Sequence, residues 1–286
     1  MPDFPIIDAH VHIFDPGRLR YAWMEVVPAL QEKHDLDRFF SSTGAVQVDA
    51  AVFVEVDVDQ VQQGDEIDMV HQAARADARL KGMVASLPLE QGDAALPMLE
   101  AYAARPLARG VRRLIERRHD QPGWCLQAPL LENLRRLPER GMTFDLCLYN
   151  GQLPEVTEMV DACPDTAFIV DHFAKPDAKN GVFQPWADNL RKLAERPNVM
   201  CKFSGLTTEA DHATWTEAQL KPYIAHALDC FGIDRALFGG DWPVSELAGP
   251  YDRWVALLDD VLSGESDDAL RQFYRGNAAR FYRLEV

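Results

Sequence analysis

Short apolar runs rich in Val, Ile and Phe recur along the chain, with helix-like stretches between most of them. The runs predict eight strands, over Ile6–Phe14, Ala50–Asp57, Gly82–Leu89, Gly110–Ile115, Thr143–Tyr149, Ala167–Phe173, Val199–Gly205 and Ala236–Asp241. Between them, "GDEIDMVHQAARADARL" puts Ile67, Val70, Ala74 and Ala78 on one stripe at steps of three and four. "QAPLLENLRRLPERG" and "LPEVTEMVDACP" repeat that spacing and are closed by Gly or Pro, while "WTEAQLKPYIAHALDCFG" and "GPYDRWVALLDDVL" fill the last two gaps. Strands alternating with helices imply a parallel sheet, and eight such units with right-handed crossovers close into a (β/α)₈ TIM barrel. The competing architecture is a doubly wound open sheet, which usually carries a Gly-rich loop after its first strand. "HVHIFDPGRLR" is no such loop.

The chain has 286 residues, a length suited to one α/β barrel, and no composition break divides it, so one domain over 1–286 is expected. A net charge of −16 argues against a nucleic-acid backbone or an anionic membrane as partner, since either would be repelled. It leaves open a small substrate and a homo-oligomer. The five cysteines form no CxxC pair and are odd in number, which predicts reduced thiols of a cytoplasmic protein. No basic segment followed by an apolar stretch opens the chain.

The opening "FPIIDAHVHIFD" places Asp8, His10 and His12 at alternating positions, which a regular strand would put on one face. Two imidazoles at that spacing can hold one metal, although a half-buried strand with a wet polar face is the blander account. A barrel carries its chemistry at the C-terminal strand ends. There the sequence supplies Glu55 and Asp57, Arg112, Asp145 with Tyr149, Asp171 with His172, Lys202 with Ser204, and Asp241. Charged groups on buried strands are costly unless paired, so their convergence on one rim speaks for function. Each has an alternative role: His172 as a core histidine, Asp241 as a helix cap before Trp-Pro, the acids as structural ion-pair partners. Arg112 and Arg113 alternate, so at most one faces the barrel centre.

"IDAHVHIFDP", "GVR", "VDHFAKP", "CKFSGL", "LFGGDWPV" and "GNAARFYRL" occur in that order, and together they resemble the amidohydrolase superfamily. Within it the set is similar to the amidohydrolase-2 group and its sugar-lactonase branch, over about Ile6 to Leu284. The resemblance implies a hydrolase that opens a lactone ring, most simply that of a sugar acid, with a pyrone-dicarboxylate-type lactonase, a decarboxylase on the same barrel and a catalytically silent binding barrel as rivals. It implies His10, His12, His172 and Asp241 as the catalytic set, with Asp241 as general base. Arg112, Lys202 and Tyr149 would hold substrate oxygens, and Trp23 and Trp242 would offer faces to a ring. Binuclear members carry a carboxylated lysine on strand four and a histidine on strand five. This chain has Arg112 and "TFDLCLYN" there. At most one divalent ion is therefore expected on His10, His12, His172 and Asp241, zinc before magnesium, and metal-free catalysis is the alternative within the group.

Overall fold

The computed structural model describes residues Met1–Val286. Eight parallel strands follow one another in chain order around a single sheet. They are β1 (Ile6–Val11), β2 (Val48–Val54), β3 (Leu80–Ser86), β4 (Ala108–Leu114), β5 (Thr143–Cys147), β6 (Phe168–Val170), β7 (Val199–Phe203) and β8 (Ala236–Phe238). The first and last strands meet through backbone bonds just past their ends. Asp241 N donates to His10 O and His12 N to Trp242 O, each at 2.8 Å. This is the TIM barrel, and the open doubly wound sheet is not formed.

The strand between two helices is buried on both faces, which is why the runs read as nearly continuous apolar stretches. Ile7, Val52, Val84, Ile169 and Leu237 fill the barrel interior. Ile6, Phe53, Val111, Phe144, Val170 and Phe238 face the helices. Those helices are α1 (Leu36–Ser42), α2 (Gln63–Ala76), α3 (Leu96–Ala103), α4 (Ala128–Arg135), α5 (Leu153–Asp161), α6 (Trp186–Ala194), α7 (Glu217–Phe231) and α8 (Tyr251–Val261). Two short helices, α9 (Asp267–Arg271) and α10 (Asn277–Phe281), follow and send Tyr282 and Leu284 into the interior cluster at the barrel's base. No helix is long and apolar enough to cross a membrane. All five cysteines are free, and only Cys230 is not fully buried.

All eight strands end earlier than the apolar runs predict. β6 stops at Val170 and β8 at Phe238, before His172 and Asp241. His172 (φ 53°) and Asp241 (φ 57°) have left-handed backbones, which no strand accommodates. Strained backbone of this kind persists only where its surroundings enforce it, and it clusters at functional sites.

Candidate active site

The regular alternation expected across Asp8, His10 and His12 is broken. The β1–β2 register shifts between Asp8 and Val11. Asp8 turns toward the helix layer, where its carboxylate accepts from Gly240 N at 2.8 Å, Tyr251 Oη of α8 at 2.8 Å and His10 N at 2.9 Å. His10 points into the barrel instead and meets Lys202 and Arg112. Asp8 therefore does not share a face with the histidines; it ties β1 to the segment after β8, the two places from which His10 and Asp241 project. Asp8→Ala would strand two buried N–H groups, at about 1–3 kcal/mol each. Chemical denaturation should show that loss, whereas Asp8→Asn, which keeps an acceptor oxygen, should recover most of it.

Asp241 Oδ1 is the point on which the imidazoles converge. His12 Nε2 lies 3.3 Å from it, His10 Nε2 3.7 Å and His172 Nε2 3.9 Å. All four side chains are buried. His12 Nδ1 is 2.8 Å from Val54 O, and a carbonyl only accepts, so Nδ1 carries a proton and Nε2 is the nitrogen that faces Asp241. His172 Nδ1 is 2.9 Å from Ser204 Oγ on the residue following β7. Gly205 (φ +62°) leaves the room these groups need, since a Cβ there would come within 2.4 Å of His172 Nδ1 and 2.8 Å of Asp241 Oδ2. Burial alone would push the Asp241 carboxyl up, but His172, His12 and His10 outweigh it and hold the group well below the usual carboxylate range. Burial lowers His172, and burial together with Lys202 lowers His10 further. The helix-cap role for the Asp241 side chain is not what the structure shows; only its backbone carbonyl accepts from Ser245 N, at 2.9 Å.

Below this layer lies an ion-pair network. Lys202 Nζ, fully buried, is 2.6 Å from Asp145 Oδ2, 2.9 Å from Asp171 Oδ1 and 3.1 Å from His10 Nδ1. Tyr282 Oη donates to Asp145 Oδ2 at 2.8 Å. Arg112 Nε donates to Glu55 Oε1 at 2.7 Å, and its Nη1 is 3.3 Å from Asp171 Oδ2 and 3.3 Å from His10 Nε2. Arg113 faces outward and pairs with Glu90, as the alternation requires. Lys202 thus touches His10, not the open cavity.

Two groups of side chains have metal-ligand geometry: His10, His12 and Asp241, and His10, Asp171 and His172. In the second, Asp171 already holds Lys202 on one oxygen and Arg112 on the other, so two protein cations take the place of an ion. In the first, His12 Nε2 lies 3.3 Å and His10 Nε2 3.7 Å from Asp241 Oδ1, and imidazole nitrogens with one carboxylate suit a transition metal. His10, His12 and Asp241 therefore fit a metal at this position, while His172 falls in the second group.

A cavity of about 150 Å³ opens over these groups, bordered by His12, His172, Asp241, Arg112, Trp23 and Glu209 among others. Trp23 stands at its side, with Nε1 donating to Val56 O at 2.8 Å. Trp242 is fully buried against His34 and Phe39, so its ring packs the barrel wall and presents no face to the cavity. Tyr149 is 44 % exposed and lines an adjoining outer cleft with Asn150 and Lys175. A larger cavity, about 390 Å³, lies beside α1 and α2 but contains none of the four converging residues. Glu116, which pairs with Lys175, and Glu209 escaped sequence reading because both sit in loops beyond the strand ends, where no periodicity marks them.

The amidohydrolase family profile matches residues 7–284. An L-fucono-1,5-lactonase from Burkholderia multivorans is 27% identical over 97% of this chain and 96% of its own length. Another from Burkholderia ambifaria is 32% identical over 65% of each chain. A crystal structure of a Burkholderia multivorans amidohydrolase with bound zinc superposes with a TM-score of 0.88 at 27% identity, covering 99% of this chain and 100% of that one. A profile that runs from the first strand to the last residues of the barrel places this chain in the amidohydrolase family.

Proposed function

We propose that this protein hydrolyses a lactone by attack of water on the ring ester, and that the substrate is the lactone of a sugar acid. The convergence of three imidazoles on Asp241 at the floor of a small cavity carries the reading. The lactonase names of the curated relatives support it. Asp241, ionised at neutral pH, accepts a proton from water as the water oxygen bonds to the carbonyl carbon. The carbonyl oxygen becomes an oxyanion. When Ser204 donates to His172 Nδ1, His172 presents an N–H at Nε2 to that oxyanion. The ring C–O bond then breaks, and Asp241 returns its proton to the leaving oxygen, giving a hydroxy acid. His10, His12 and Asp241 would hold one zinc ion, which when bound supplies Lewis acidity at the carbonyl and a more acidic water.

A pH indicator reports the acid released when sugar lactones are screened on metal-stripped and zinc-reloaded protein. Absence of acid release from every lactone, or release of CO₂ from an unsaturated acid, would sink the proposal. Elemental analysis of protein purified without chelator should give no more than one divalent ion per chain. Two would contradict the occupation of Asp171 by Lys202 and Arg112. The acid limb of kcat/KM is expected below the ordinary histidine value of about 6.5, because burial favours neutral His172 and its protonation, which adds a positive charge, is delayed to lower pH. A limb well above that value would count against a neutral imidazole in the working enzyme.

A further inference from the structure

Every cation lining the catalytic cavity is committed within the chain. Arg112 is held by Glu55 and Asp171, Arg117 Nη2 lies 3.2 Å from Asp57 Oδ2, and Lys175 pairs with Glu116. Glu209 is different. It closes the turn Leu206–Glu209 after β7 and borders both the catalytic cavity and the outer cleft. Its backbone oxygen is anchored by Lys179 N at 2.9 Å, which fixes where the side chain starts. Its half-buried carboxyl has no hydrogen bond within the chain. The charged groups around it are Lys175, already paired, and the acids Glu116, Asp241 and Asp177; burial and these acids push Glu209 up to about 7.

A partly desolvated carboxyl without a partner is costly, and a ligand hydroxyl would remove that cost. In the catalytic cavity a ligand carboxylate would instead meet Glu209 and its acidic neighbours and find no uncommitted cation, since Lys179, which has no ion-pair partner, lines only the outer cleft. Resting on the lactonase reading, we infer that Glu209 is a specificity-determining residue that accepts hydrogen bonds from substrate hydroxyls and favours neutral polyhydroxylated lactones over carboxylated ones.

Aldono-1,5-lactams of gluco, galacto and manno configuration mimic the ring, and their amide resists hydrolysis, so binding is read without turnover. Calorimetry on the metal-loaded protein should show at least one of them binding. Glu209→Leu should weaken that binding by about 10–100-fold, the worth of a hydrogen bond to a charged group, and Glu209→Gln, which keeps an acceptor, should recover part of it. Unsubstituted δ-valerolactam should bind equally weakly to all three proteins, and their melting temperatures should agree. A carboxylated pyrone should bind wild type more weakly than the best lactam and gain on Glu209→Leu. No lactam binding by wild type, equal lactam binding by wild type and Glu209→Leu, or a wild-type preference for the pyrone would overturn the assignment. Lactam binding that depends on Glu209, in a protein that releases acid from no lactone, would uphold the residue's role and refute the catalytic reading alone.

Discussion

Asp241→Asn is expected to lower kcat by about 10²–10⁴-fold, the usual contribution of a positioned general base. The substitution removes the proton-accepting oxygen's charge and little else. Asparagine tolerates the left-handed backbone that Asp241 adopts at φ 57° better than most non-glycine replacements do. Its side-chain amide, which can both donate and accept, can still hydrogen-bond His12 Nε2, 3.3 Å from the carboxylate oxygen it replaces. KM and melting temperature should therefore change little beside kcat. Metal content has to be measured on the same sample, because Asp241 belongs to the group that fits an ion. A folded, metal-replete and fully active Asp241→Asn enzyme would show that another group takes the proton, with His172 the next to examine.

The second large effect is on stability. Lys202→Met should destabilise the fold by about 3–5 kcal/mol, the cost of breaking a buried ion pair from one side. Asp145 and Asp171 lie 2.6 and 2.9 Å from the ammonium, and none of the three groups has access to solvent. Methionine has nearly the same length, so the loss is one of charge compensation and not of volume. The double variant Lys202→Met/Asp145→Asn should recover part of the loss, since one stranded carboxylate is then neutral. Urea denaturation of the four proteins closes the cycle. A single variant within about 0.5 kcal/mol of wild type, inside the range of an ordinary surface substitution, would mean that the network contributes no net stability.

The identities of the converging groups were legible in the chain because they depend on residue type and order. His10, His12, His172 and Asp241 stand at the ends of apolar runs, and a barrel delivers the ends of its strands to one rim. That Arg112 and Arg113 face opposite sides followed from a period of two, which β4 keeps, and the structure turns Arg112 inward. The same rule failed on β1. Asp8 accepts from Gly240 N, a donor 232 residues away, and that partner helps hold the break in alternation. No local pattern contains such a bond.

Depth was equally hidden. Lys202 and Trp242 read as rim residues, yet one is neutralised under His10 and the other is packed in the wall. Whether a long side chain reaches solvent depends on what stands above it, here a histidine from β1 and a left-handed turn after β8. The sequence by itself determined the strand–helix alternation and the polar groups at the strand ends, because these rest on local periodicity and side-chain chemistry, while the choice of His10, His12, His172 and Asp241 among them followed from the family resemblance. The tertiary structure decided which nitrogen of His12 faces Asp241, which cations of the cavity are already paired and which carboxyl is left without a partner. Those properties depend on hydrogen bonds and charges meeting across the barrel, between residues that the chain keeps far apart.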